Sequence, residues 1–370
     1  MALAYLKTIR RDCIQRAGAI ATIMLATSFG AMTTVEANDG GRGVRLITQN
    51  MDVGSSFNSL IAAQNPQQVL AAVATIYNNI LARKPVERAA AMAREIARSR
   101  PDLVTLQEAA LLRTGNRGAP STTMQVDLLQ SLLDELDRLE QRYVAVAILP
   151  GFDAQVPSPL GFDVRVTFQD AILVRADSLP GEIEVSNLQI EQFGVKLAVP
   201  TTLGPFLDPR GWASVDVTLG GRRFRLVTTH LDSSDPRIRV AQARELLSTA
   251  ANTSLPVVFA GDFNIAADTS LDPSFAGYQA MINAGFSDAW LSKRSLEPGY
   301  TCCQAENLLN PTSLLSHRID LILVRGALGV KDISLIGDQP SDRTSSGLWP
   351  SDHAGVAVTL QLTSQNANSQ

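Results

Sequence analysis

The segment Val257-Val258-Phe259-Ala260-Gly261-Asp262-Phe263-Asn264 restricts the fold of this chain more than any other stretch. An apolar run of this length reads as a buried strand that ends by presenting Asp262 and Asn264. Two residues apart on an extended chain, those side chains share one face. Four further strand-like runs end in, or pass through, groups of the same kind: Leu46 to Asn50, Leu103 to Glu108, Leu226 to His230, and Arg318 to Ile322 with Asp320 inside it. A sixth element, Ser351-Asp352-His353, opens the last apolar run. One strand ending in an acid says little. Six such elements, holding carboxylates, amides and imidazoles, indicate one pocket built by converging strands. Carboxylate and amide oxygens suit a hard cation such as Mg²⁺. Two histidines beside it suit phosphoryl chemistry.

Taken in chain order, these motifs resemble the endonuclease/exonuclease/phosphatase superfamily, over roughly Val44 to Leu362. That superfamily includes deoxyribonucleases, abasic-site endonucleases, neutral sphingomyelinases and inositol polyphosphate 5-phosphatases. The resemblance implies an α/β fold, a four-layer α/β/β/α sandwich of two packed mixed sheets with the site at one end. It implies a metal-dependent phosphoric ester hydrolase using Mg²⁺, with Mn²⁺ as an alternative.

The same resemblance implies roles. Glu108 is the principal metal ligand, with Asp52 and Asp352 as further candidates; Asp52 also reads as a turn cap, because Gly54-Ser55-Ser56 follows. Asn50 would hold both the metal-bound carboxylate and a phosphate oxygen. Asp262 would orient or deprotonate the attacking water, and Asn264 would hold a phosphate oxygen or the water. Asp320 and His353 form a carboxylate–imidazole pair. His230, in Thr228-Thr229-His230, is the most discriminating residue. In the deoxyribonuclease, sphingomyelinase and phosphatase branches a histidine here binds phosphate or protonates the leaving oxygen, whereas abasic-site enzymes typically lack it. Arg165, Arg318 and His317 are secondary candidates at the rim, with Arg318 more often structural.

Charge and termini bear on the substrate. Lys7, Arg10, Arg11 and Arg16 precede the uncharged run Ala17 to Met32, and Val35-Glu36-Ala37 follows. This reads as a signal peptide over 1–37, a catalytic domain over 38–364 and a disordered tail over 365–370. The protein is then expected to be secreted or periplasmic. The formal net charge is −4, which does not favour a bulk nucleic-acid binder. The expected substrate is a phosphodiester, such as a phospholipid head group at a membrane surface, ahead of a phosphomonoester. An extracellular nuclease is the alternative within the family, and a non-catalytic binding module the alternative outside it. The chain is expected to act as a monomer. Of three cysteines, Cys302 and Cys303 are adjacent; without partners at metal-binding spacing they do not make a zinc site, and a non-catalytic loop feature is expected.

Along the chain, Ser59 to Arg100 reads as two helices broken at Lys84-Pro85, longer than the family needs and so a cap or rim element. Met124 to Arg142 reads as an amphipathic helix on its leucine stripe. Pro150 to Phe168 reads as a long rim loop on its Gly, Pro and Asp content.

Overall fold

A computed structural model describes residues 43–176 and 183–362. The expected signal peptide, the spacer after it and the C-terminal tail lie outside the described residues. In chain order the elements are β1 (Val44–Asn50), α1 (Asn58–Ile61), α2 (Pro66–Ala82), α3 (Pro85–Ser99), β2 (Leu103–Gln107), β3 (Leu111–Asn116), β4 (Thr123–Asp127), α4 (Leu128–Arg138), β5 (Tyr143–Pro157) and β6 (Phe162–Arg175). Then come β7 (Ile183–Gln192), β8 (Leu197–Thr201), β9 (Gly204–Asp208), β10 (Gly211–Leu219), β11 (Arg222–His230), α5 (Pro236–Ser248), β12 (Val257–Asp262) and α6 (Phe275–Asn283). Last are β13 (Ser287–Asp288), α7 (Leu291–Arg294), β14 (Asp320–Arg325), β15 (Leu328–Ile336) and β16 (Gly355–Leu362).

Two mixed sheets carry the fold. The first runs β15-β16-β1-β2-β6-β3-β4 with β5 also on β6, and the second β13-β14-β12-β11-β10-β7; β8 and β9 form a separate hairpin. The inner faces meet in one apolar layer that includes Leu46, Ile172, Val215, Leu226, Val258 and Val356. The outer face of the first sheet is covered by helices α2, α3 and α4 through residues such as Ile76, Met92 and Leu132. The second is covered by α5 and α6 through Leu246 and Met281. Helix, sheet, sheet and helix thus make the expected four layers.

Parallel pairs set the site. β1 runs parallel to β2, and β11 parallel to β12, so Asn50, Glu108, His230 and Asp262 all arrive at one end of the sandwich. β14 is antiparallel to β12, and its first residue pairs across from the last of β12, Asp262 with Asp320. His230 pairs with Asp262 in the parallel register. One row across three strands therefore holds His230, Asp262 and Asp320. Gly261 is required there, because a Cβ would lie 2.1 Å from the Thr229 carbonyl oxygen.

Several expectations change. Pro150 to Phe168 is not a loop but the far half of a β5–β6 hairpin; register irregularities near Ala145 and across Pro150 to Asp153 absorb its proline and glycine. Residues 123–127 are strand β4, pairing with β3, and the helix starts only at Leu128 behind the Asp127 cap. The 59–100 stretch is three helices, not two, and is chiefly the outer layer of the first sheet rather than a detached cap.

Candidate active site

Asn50 stands where the two sheets meet. Its side-chain amide donates to Asp262 Oδ2 at 3.0 Å and to Glu108 Oε1 at 3.4 Å. Its carbonyl oxygen Oδ1 accepts the Asp52 amide at 2.9 Å. Glu108 Oε2 accepts the Val53 amide at 2.8 Å, and the Glu108 amide donates to Asp170 Oδ1 at 3.3 Å. Three residues here adopt the left-handed backbone region: Asp52 and Glu108 at φ 55°, Asn264 at φ 52°. Such a conformation is strained for a residue with a Cβ and is held by the surrounding bonds. The Asn264 amide, for example, donates to Asp262 Oδ1 at 2.8 Å, and its side chain donates to the Leu231 carbonyl at 3.1 Å.

The imidazoles differ. His353 Nδ1 donates to Asp320 Oδ2 at 2.8 Å and lies 3.9 Å from Asp262 Oδ2. Burial disfavours its charge, but Asp320 and Asp352 outweigh burial and hold its pKa well above the usual histidine value. The His353 amide donates to Ser351 Oγ, which in turn donates to the Asn50 carbonyl at 2.7 Å. His230 Nε2 is 3.4 Å from Asp262 Oδ2. Burial, then the Arg210 charge, lowers its pKa well below the usual value. The resting His230 is therefore neutral, a hydrogen-bond donor rather than a charged acid.

Negative charge is in excess. Burial and the Asp320 charge push Asp262 up to about 7. Enclosure and the Asp52 charge push Asp352 up to about 7, and burial does the same to Asp170. Together with Glu108 these give an all-oxygen donor set whose members repel one another, the chemistry that a hard divalent cation neutralises. Glu108 and Asp352 both line the pocket and are the residues that would hold it. Asp52 is differently placed than a free ligand would be. Arg83 Nη1 lies 3.2 Å from both its oxygens, Arg88 Nη1 3.6 Å from Oδ2, and Oδ1 caps the turn by accepting the Gly54 amide at 2.7 Å. Its carboxylate serves the turn and the arginines.

The other candidates fall outside. Arg318 pairs with buried Asp288 at 2.6 Å and ties strands together. Arg165 pairs with Asp153 on the hairpin. His317 is exposed and 3.6 Å from Asp268. Cys302 pairs by backbone with His317 and with His353, and Cys302 and Cys303 are joined as a disulfide.

The pocket is a cavity of about 620 Å³. Arg210 lines it, and nothing in the motifs pointed to this residue. It follows the β8–β9 hairpin, and its Nε donates to Asp208 Oδ2 at 2.8 Å. Burial opposes its charge, yet Asp208, Glu108 and Asp170 raise its pKa above the usual arginine value. A Pro-Arg-Gly at the entry to a strand was the only sequence signal, and it is weak. Gln107 was also missed: its side-chain amide donates to Thr228 Oγ1 across the sheet interface at 3.1 Å.

The model of the Endonuclease/Exonuclease/phosphatase family matches residues 78–353, well over half of the chain. Tyrosyl-DNA phosphodiesterase 2 of Mus musculus is 31% identical over 167 residues, 41% of this chain and 41% of that protein. The match thus spans about two-fifths of the curated relative's length. An endonuclease/exonuclease/phosphatase family protein from Leptotrichia buccalis superposes with a TM-score of 0.54 at 16% identity, over 86% of this chain and 99% of that one. D. rerio TDP2 complexed with single strand DNA product superposes with a TM-score of 0.50 at 19% identity, over 86% and 98%. At such identities the superpositions speak to the fold, and the family model speaks to descent. Site row, sandwich and sequence profile agree: the chain belongs to the endonuclease/exonuclease/phosphatase family.

Proposed function

We propose that this protein is an exported, Mg²⁺-dependent phosphodiesterase. The observation that carries the reading is the single cluster of Asn50, Glu108, His230, Asp262, Asp320 and His353 at the meeting end of the two sheets. When bound at Glu108 and Asp352, the cation would neutralise charge on phosphoryl oxygen. The chain's own residues do the rest. Asp262 accepts the proton of the attacking water, with Asn50 and the Asn264 amide fixing its carboxylate. His353, kept cationic by Asp320, stabilises the charge that builds on phosphorus-bound oxygen. His230 donates from Nε2 to the phosphate; the bound anion raises its pKa, the ring takes up a second proton from solvent, and the imidazolium passes one proton to the leaving oxygen and returns to neutral. Arg210 offers its guanidinium fork to a non-bridging oxygen.

A diester is preferred to a monoester because the cavity offers apolar as well as polar lining, Phe57, Phe152, Phe168 and Phe206 among it, for a second ester arm. Export rests on the basic and apolar N-terminal pattern. For the substrate, a lipid head group fits export and the acidic balance. A nucleic-acid diester is the second reading, supported by the relatives' printed names. The test is turnover of a panel: bis(p-nitrophenyl) phosphate, p-nitrophenyl phosphate, sphingomyelin vesicles and single-stranded DNA, each with Mg²⁺ and then with chelator. Hydrolysis of a diester that chelator abolishes is expected. No turnover of any diester would sink the reading.

A further inference from the structure

The cavity that holds the motif residues is also lined by a group of phenylalanines: Phe57 before α1, Phe152 and Phe168 facing each other across the β5–β6 hairpin, and Phe206 on β9. None is fully buried, although a phenyl ring in a closed core would be. Their geometry is specific. Phe57 meets Phe168 edge-on, with centroids at 5.4 Å and planes at 66°, and meets Phe152 at 6.1 Å and 72°. Phe152 lies 6.1 Å from Phe168 and 5.1 Å from Phe206, tilted against both. Tilted rings of this kind leave faces and edges turned outward, and a further ring can join them edge-to-face. The same cavity contains Glu108, Arg210 and His230, so the wall is continuous with the phosphoryl site. The β8–β9 hairpin completes it, reaching over so that Thr202 Oγ1 donates to the Ala63 carbonyl at 3.2 Å beside α1.

We propose that Phe57, Phe152, Phe168 and Phe206 form a subsite for an aromatic ring esterified to the phosphoryl group of the substrate. The proposal rests on the phosphoesterase reading and narrows it. Within that reading it selects an aryl ester over the polyol or choline arm of a lipid head group, because four partly exposed rings offer dispersion and edge-to-face contacts but no hydrogen bonds. A planar arm of ring size is bound there while its phosphate meets Arg210 and His230.

The test separates the subsite from the reaction. Non-hydrolysable phenyl-, cyclohexyl- and methylphosphonate are titrated into the full chain with Mg²⁺ by calorimetry. Phenylphosphonate should bind about tenfold or more tightly than methylphosphonate, from the apolar area it covers. It should bind about two- to tenfold more tightly than cyclohexylphosphonate, from ring–ring geometry. Equal affinity of phenyl- and methylphosphonate overturns the subsite; equal affinity of phenyl- and cyclohexylphosphonate overturns its aromatic character. In Phe152→Ala the phenyl-to-methyl ratio should fall toward one. A merely structural role would weaken both ligands together and leave the ratio, which would also overturn the proposal. If Phe152→Ala does not fold, Phe206→Ala on the separate hairpin reads the same ratio. Failure of the phosphoesterase reading looks different, since then no phosphonate binds and no diester turns over.

Discussion

Glu95 lies in α3, outside the lining of the active-site cavity, with 4% of its surface exposed. Neither carboxylate oxygen has a hydrogen-bond partner among the described residues. Its neighbourhood is tight: a Cβ at Gly337 would sit 3.2 Å from Oε2. Burial, then the Asp342 charge, raises its pKa well above 4.5 against the opposing charges of Arg98 and Arg94. A pKa raised on folding means that the folded state keeps a proton which the unfolded chain has released. The stability this represents is complete below about pH 4.5 and is lost as pH rises toward the folded pKa. In that window the slope is about 1.4 kcal/mol per pH unit for one proton. Glu95→Gln keeps the shape and removes the titration. The variant should therefore gain on the wild type by about 1.4 kcal/mol per pH unit through this window, on the order of 2 °C in Tm per pH unit for a domain of this size. Thermal unfolding followed by circular dichroism at pH 5, 6 and 7 measures it. The raised carboxyls of the active site titrate in both proteins, so they cancel in the difference. Parallel Tm curves would show that Glu95 is ionised and paired in the folded protein, and the reasoning from burial would be wrong.

Further outcomes follow from the site. Glu108→Ala should lose activity at low Mg²⁺ and recover part of it at high Mg²⁺; an unchanged metal titration would remove Glu108 as a ligand. His230→Ala and His353→Ala should each cost ~10²–10⁴ in kcat on an alkyl diester, and their losses should not add. On a nitrophenyl diester, whose leaving group departs without a proton, His230→Ala should lose much less than His353→Ala; equal losses on both substrates would mean that His230 only holds phosphate. Replacing Cys302 and Cys303 together by Ser should leave kcat intact, since Cys302 meets His353 through backbone; turnover lost in a folded variant would contradict this.

The ends of β1, β2, β11, β12 and β14 were legible because each couples an apolar run to a polar terminus, and a buried strand has few reasons to end that way. The four layers followed from the family resemblance those ends carried. Arg210 and the phenylalanine wall were not legible. All but Phe57 come from the 150–168 and 197–210 segments, whose pairing is settled by partners distant in sequence and not by local pattern. Glycine and proline made residues 150–168 look like a loop, yet twelve-residue pairing with β6, across two irregularities, outweighs that local preference. The leucine stripe that marks the helix begins at Leu128, and the pairing of Met124 and Val126 with β3 is invisible in the local pattern. Asp52 was ambiguous for a physical reason: a turn-capping acid and a metal-binding acid look alike until Arg83 and Arg88 are seen beside it.

The Asn50 amide touches Glu108 of its own sheet and Asp262 of the opposite one. Catalytic competence and the docking of the two halves are therefore one variable. A loosened state in which the sheets slide by a single residue, some 3.3 Å, keeps every strand ladder and nearly all of its far-ultraviolet signal. It nevertheless parts Asp262, the proposed water-activating acid, from Glu108, the proposed metal ligand. Heated or mildly denatured protein should fall silent before it unfolds, and its activity is then a more sensitive gauge of interlayer fit than any spectroscopic count of secondary structure.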